Sequence, residues 1–160
     1  MSRLSTGIAN DVTTLGDRVV TLNAATITIT PQEHAGKLLL MTRASNVMTI
    51  NLPVASGSGD VYKFLNAAVR TSGSVVINAG AGTPGASGVF VGQVTSHGGA
   101  ASNISYVTST NDIFTLNITT TGGVNPGDYL EVVDTAAGIW RVTKAEVWAS
   151  GLQATPFTTS

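Results

Sequence analysis

The chain contains no cysteine. That excludes a disulfide framework and any thiolate metal site, so burial and hydrogen bonds must hold the fold. Charge is also scarce. Lys and Arg number 8, Asp and Glu number 9, and together they make 11% of 160 residues, less than half of the ~25% usual in soluble domains. With a net charge of −1, there is no basic footprint for nucleic-acid phosphates and no charged tail. Long apolar runs are missing too. The longest, Leu38 to Met41, has four residues, against the ~20 of a membrane helix. Met1 to Asn10 lacks the apolar stretch of a signal peptide, which predicts folding in a cytoplasm. Neither nucleic acid nor a membrane is an expected partner, and no cofactor is expected.

What is present points to strands. Thr and Ser supply 23 and 14 residues, and Gly another 18. Thr suits a half-buried pleated surface, and Gly supplies the positive φ of tight turns. At 42% hydrophobic content the chain can build a core.

Two parts are expected. In residues 1–24, Ile8, Val12, Leu15, Val19 and Leu22 are spaced 4, 3, 4 and 3. This is a short heptad seam, with Val12 and Val19 at a and the others at d. Gly16 and several Thr residues lower its helix propensity. It predicts either a self-associating helix or an extended arm, with Arg18 to Leu22 as a strand on a neighbour. Either form needs another subunit.

From Ala25 the period is two. Ile27 and Ile29 alternate with Thr26, Thr28 and Thr30. Thr30-Pro31-Gln32-Glu33 is a capping box for one helical turn, closed by Gly36. Strands are expected at Lys37–Arg43, Val47–Leu52, Val61–Asn66, Ser74–Asn78, Val89–Thr95, Asn103–Thr108, Asp112–Ile118, Asp128–Val133 and Ile139–Val147. Such short, evenly spaced strands without long helical patterns predict an all-β fold. The expected form is an antiparallel, jelly-roll-like sandwich or small barrel over residues 25–160. No internal repeat is evident. Gly80, Gly82, Pro84 and Gly85 mark an exposed candidate contact loop.

No catalytic or metal constellation stands out, and the chain is expected not to be an enzyme. His34 and His97 have no partner at metal spacing and are expected at the surface. Asp128 and Glu131 are three apart, so a strand points them to opposite faces. Ser56-Gly57-Ser58-Gly59 lacks the Lys of a P-loop and reads as a hairpin loop. Trp140 sits in an alternating run and is expected in the core. Trp148 with Tyr129 is a candidate sugar-stacking face.

Several stretches resemble tailed-bacteriophage virion proteins. They are Ala35-Gly36-Lys37 before an apolar strand, Thr49-Ile50-Asn51-Leu52-Pro53, Val61-Tyr62-Lys63-Phe64, Asn111 to Asn117, Gly127-Asp128-Tyr129-Leu130-Glu131-Val132, Gly138-Ile139-Trp140 and Ala154-Thr155-Pro156-Phe157. The pattern is similar to head decoration (cement) proteins and to domains of phage fibres. Arg18-Val19-Val20-Thr21-Leu22-Asn23 is similar to a short trimer-specifying coiled-coil pattern, with Asn23 where an acidic residue is expected. The resemblance implies a homotrimeric subunit on the outer surface of a virion capsid, bound across junctions of the major capsid protein. A fibre or tail component binding a host glycan is the alternative. A glycan depolymerase would need two carboxylates in one cleft, and no pair is marked.

Overall fold

The computed structural model describes residues 18–80, 88–98 and 103–160. They form an all-β sandwich of two open sheets. The larger sheet holds β1 (Val19–Leu22), β3 (Leu38–Met41), β5 (Val61–Asn66), β7 (Val89–Gly98), β8 (Asn103–Asn111), β10 (Tyr129–Ala136) and β11 (Ile139–Ala149). Its order is β1-β3-β5-β10-β11-β7-β8. The smaller sheet holds β2 (Thr26–Thr28), β4 (Met48–Asn51), β6 (Val75–Asn78), β9 (Ile113–Leu116) and β12 (Phe157–Thr158), in the order β12-β9-β6-β4-β2. Neither sheet closes on itself, so the sandwich form holds and the barrel does not.

The strands are not purely antiparallel as expected. Among the described residues, β1, β3 and β5 run parallel in one sheet, and β2, β4 and β6 run parallel in the other. From β1 to β6 the chain alternates between sheets, so each pair of strands is one coil of a two-layered winding. Equivalent positions then stack in register. Ile27 pairs with Ile50 and Ile50 with Ile77. Val20, Leu39 and Phe64 form the facing column. On the outer face of the smaller sheet, Asn78 Nδ2 donates to Asn51 Oδ1 at 2.7 Å, one step of an asparagine ladder. Beyond this coil the pairing turns largely antiparallel, with one parallel junction between β11 and β7.

The core lies between the sheets, where alternate residues point inward. Leu39, Ile50, Tyr62, Phe64, Ile77 and Trp140 are wholly buried. Trp140 meets Tyr62 edge-on at 5.5 Å and donates its indole N–H to Ala79 O at 2.8 Å. Burial, and then the charges of Asp60 and Asp134, push the Tyr62 hydroxyl up to about 12.

Several local expectations are corrected. Val19 and Leu22 are on a strand, not a helix, and that strand pairs with β3 of its own chain. Three residues apart, they face opposite ways: Val19 is exposed and Leu22 is buried. α1 (Pro31–His34) is the expected single turn. The expected capping box does not form: Thr30 Oγ1 donates to the Glu33 carboxylate at 3.3 Å, no side chain caps the turn's N–H groups, and the Thr30 N–H goes to His34 Nδ1 instead. His34 is buried, not at the surface, because its Nδ1 accepts the Thr30 N–H at 3.1 Å and locks the turn. The Ser56–Gly59 segment is no hairpin, since it carries the chain from the smaller sheet to the larger.

Candidate functional site

Two regions of the sandwich present chemistry to the outside. The first is the free end of the coil. Among the described residues, nothing pairs with the outer edges of β1 and β2. Leu38 N–H donates to Arg18 O and Thr42 N–H to Leu22 O. Parallel ladders alternate, so the N–H and C=O of Val19 and Thr21 point to the free edge. On β2, the backbone groups of Ala25, Ile27 and Ile29 are turned to β4, with Ile29 N–H donating to Asn51 O, which leaves those of Thr26 and Thr28 outermost. The inward residues of this last coil are incompletely covered. Ile50 and Ile77 are fully buried, but Ile27 and Val20 are only half-buried. Val19 is 48% exposed.

The second region lies where β11 bulges against β10. Glu131 pairs with Lys144 and Val132 with Val142, so Thr143 is an extra residue. The bulge turns both Thr143 and Lys144 outward. Thr143 Oγ1 donates to Glu131 Oε1 at 2.7 Å, and Tyr129 O–H donates to Glu131 Oε2 at 3.0 Å. The Lys63 ammonium lies 4.0 Å from the same carboxylate. The Thr143 hydroxyl, against the opposing effect of burial and with help from Tyr129, Lys63 and Lys144, holds the Glu131 carboxyl below its usual range. An ionised carboxylate wrapped in donors is an anchor for this cluster and a poor proton donor.

The same bulge interrupts the β11–β7 ladder between Arg141 and Glu146. Gly92 on β7, at φ +148°, sits against Val142, whose backbone and Cβ leave no room for a side chain there. The interruption opens a cleft of about 190 Å³ lined by Gln93, Thr95, Val142, Thr143, Lys144, Ala145 and Glu146. Further along, the Trp148 indole stacks on the His97 imidazole, with centroids 4.5 Å apart and planes 20° apart. His97 is therefore half-buried under a ring, not free at the surface. Tyr129 is not an open stacking face, because the Lys144 ammonium lies 5.4 Å over its ring. Burial, followed by the hydrogen bond and charge of Glu131, pushes its hydroxyl up to about 12.

The three acids of β10 and its start, Asp128, Glu131 and Asp134, separate by environment. Asp128 is buried and accepts N–H groups from Trp148, at 2.8 Å, and from Gly123. Burial raises its carboxyl above the usual range, outweighing those two donors and the nearby His97. Asp134 points inward at the other end of β10, onto the Ser56–Ser58 loop. Glu131 alone faces out, so Asp128 and Glu131 do diverge. Among the described residues, no group of three or more His, Asp or Glu converges as a metal-holding set, and no helix is long and apolar enough to cross a membrane.

The expected contact residues fare differently. Ile8, Val12 and Leu15, and likewise Gly82, Pro84 and Gly85, lie outside the described residues. Leu22 belongs to the core, so it is not free for a partner. Gly80 is buried, not exposed, packed where Gly88 passes Ala79 and Gly80. The open coil end and the bulge cluster are not anticipated from the sequence. A repeat does mark the coil: Thr26-Ile27-Thr28-Ile29, Thr49-Ile50-Asn51-Leu52 and Val76-Ile77-Asn78-Ala79 align in space one above another. Compared with known protein families, curated proteins and solved structures, the chain matches none.

Proposed function

We propose that this chain is a structural virion subunit of the decoration type. In this reading it forms a homotrimer on the outer surface of a phage capsid and ties neighbouring copies of the major capsid protein together. The observation that carries it is the open coil end, where β1 and β2 leave two strand edges unpaired and Val20 and Ile27 half covered. An exposed edge is a template for strand addition from another chain. A stack of coils also needs a cap to bury its terminal side chains. Residues 1–17, with Ile8, Val12 and Leu15 at heptad spacing, precede β1 in the sequence. Low charge supports the same reading, since few ions need desolvating when such a surface is covered. Three-fold presentation would multiply individually weak capsid contacts.

The test is to mix the purified chain with capsids stripped of decoration. The expected result is co-sedimentation at a fixed ratio and a higher temperature of capsid disruption. Capsids that neither retain the chain nor gain heat resistance overturn the proposal.

A further inference from the structure

We propose a second, separate site: a platform for a neutral saccharide on the outer face of β11, β7 and β8, centred on Trp148. This end of the larger sheet is opposite the β1 edge, and the inference does not rest on the decoration reading.

The register builds the platform. Trp148 pairs with His97 and His97 with Asn103, so the three side chains form one row across three strands. At ~4.8 Å per strand the row spans about 10 Å. The next outward row is Glu146, Thr95 and Ser105. Trp148, the penultimate residue of β11, is 45% exposed although its backbone is paired with β7. With one face of its indole against His97, the exposed area belongs to the rest of the ring.

The ring is held ready for a ligand. His97 Nδ1 and Asn103 Oδ1 are 2.9 Å apart, which fixes the imidazole plane under the indole. With Oδ1 accepting, the Asn103 amide N–H groups remain as donors on the rim. Below the row, the buried Asp128 carboxylate takes the Trp148 backbone N–H and the Gly123 N–H. A preorganised aromatic loses little side-chain entropy on binding.

The surroundings select the ligand class. Thr95, Ser105, Gln93 and Asn103 are neutral donors and acceptors, and the cleft beside them shares Thr95 and Glu146 with the platform. A polyanion would meet Glu146, while the nearby Lys144 already caps Tyr129. Besides the indole, an apolar peptide would find one exposed apolar side chain, Val107, among hydroxyls and amides. A pyranose presents an apolar C–H face to the indole and hydroxyls to flanking amide, hydroxyl and carboxylate groups. That combination matches what the two rows offer.

The experiment uses the full chain and four probes: maltohexaose, cellohexaose, chitohexaose and laminarihexaose. Tryptophan fluorescence is a direct readout, because Trp140 is buried and Trp148 is the exposed indole. Calorimetry gives the affinity. At least one probe is expected to bind with Kd of about 1 mM or tighter. Trp148→Ala should weaken that binding at least tenfold, Trp148→Phe should weaken it less, and Glu146→Gln should weaken it with the urea midpoint unchanged. Two results overturn the proposal: no probe giving a signal up to about 10 mM, or Trp148→Ala binding as tightly as the parent chain. Because the test needs no capsid, its failure is distinguishable from failure of the decoration reading.

Discussion

Asp134 is 3% exposed, and no cation among the described residues reaches it. Its charge is met instead by the backbone. Ser56, Gly57 and Ser58 donate N–H groups at 2.9, 2.6 and 3.2 Å, and the hydroxyls of Ser56 and Ser58 add bonds at 3.1 and 3.0 Å. Successive N–H groups around one anion form a nest. Gly57 allows it by adopting φ +84° with Ala136 backbone close by. The Gly/Ser loop thus binds an anion after all, and the anion is the chain's own. Burial pushes the Asp134 carboxyl up, but these donors together outweigh it and hold it below its usual range. A lowered folded value means the stabilisation is present above the ordinary value and is lost as pH falls through the folded one. Asp128, raised by burial, acts in the opposite sense, since protonation relieves it. Asp134→Asn leaves part of the nest without an acceptor and is expected to cost about 3 kcal/mol near neutral pH. Its stability should also decline less steeply than the parent's as pH falls below the ordinary aspartate range. Urea unfolding across that range measures both effects.

At the scale of elements, burial along the isoleucine column sets a gradient. Ile77 and Ile50 are wholly buried between neighbours, while Ile27 is half-buried on the end coil. Ile77→Ala should therefore cost about 4 kcal/mol, with cavity and transfer terms combined. Ile27→Ala should cost about 1–2 kcal/mol, because less area is lost. Equal costs in urea titrations would show that the end coil is covered in solution. The same coil shows what was legible in the sequence. Val61–Asn66 is a strand over the residues expected, and the other expected strands are found with shifted ends. Period-two alternation is local, so it survives without knowing the partner. Pairing is not local. Ile50 joins Ile27 and Ile77 across long connections, so a parallel coil looks like separate hairpin strands. The Val19 and Leu22 spacing of three suits a heptad, yet Val19-Val20-Thr21 is three β-branched residues in a row, which favours the strand that forms. The Trp148 platform was half legible. The exposed indole is found, but which ring stands beside it depends on the β11–β7 register.

For the whole molecule, the free edge of β1 lets the proposed assembly be tested apart from folding. Thr21 points its N–H away from β3, because Arg18 and Leu22 supply the carbonyls on that side. Proline is tolerated on an edge strand when its missing donor faces outward. Thr21→Pro should thus leave the β1–β3 pairing in place and remove a donor from the free edge. Val19→Lys adds a charge at a side chain that is already 48% exposed, and an inserted edge charge blocks strand addition. Both variants are surface changes, and each should alter monomer stability by less than about 1 kcal/mol. If the coil end is the assembly surface, both should sediment as monomers where the parent chain sediments as a trimer. Both should also fail to protect stripped capsids, while saccharide binding at Trp148 is retained. A parent chain that stays at 16.3 kDa at high concentration and on the capsid would rule out the trimer. Variants that remain trimeric would move the assembly surface away from β1. Sedimentation with and without capsids separates these outcomes, because the edge acts only when a second chain is present.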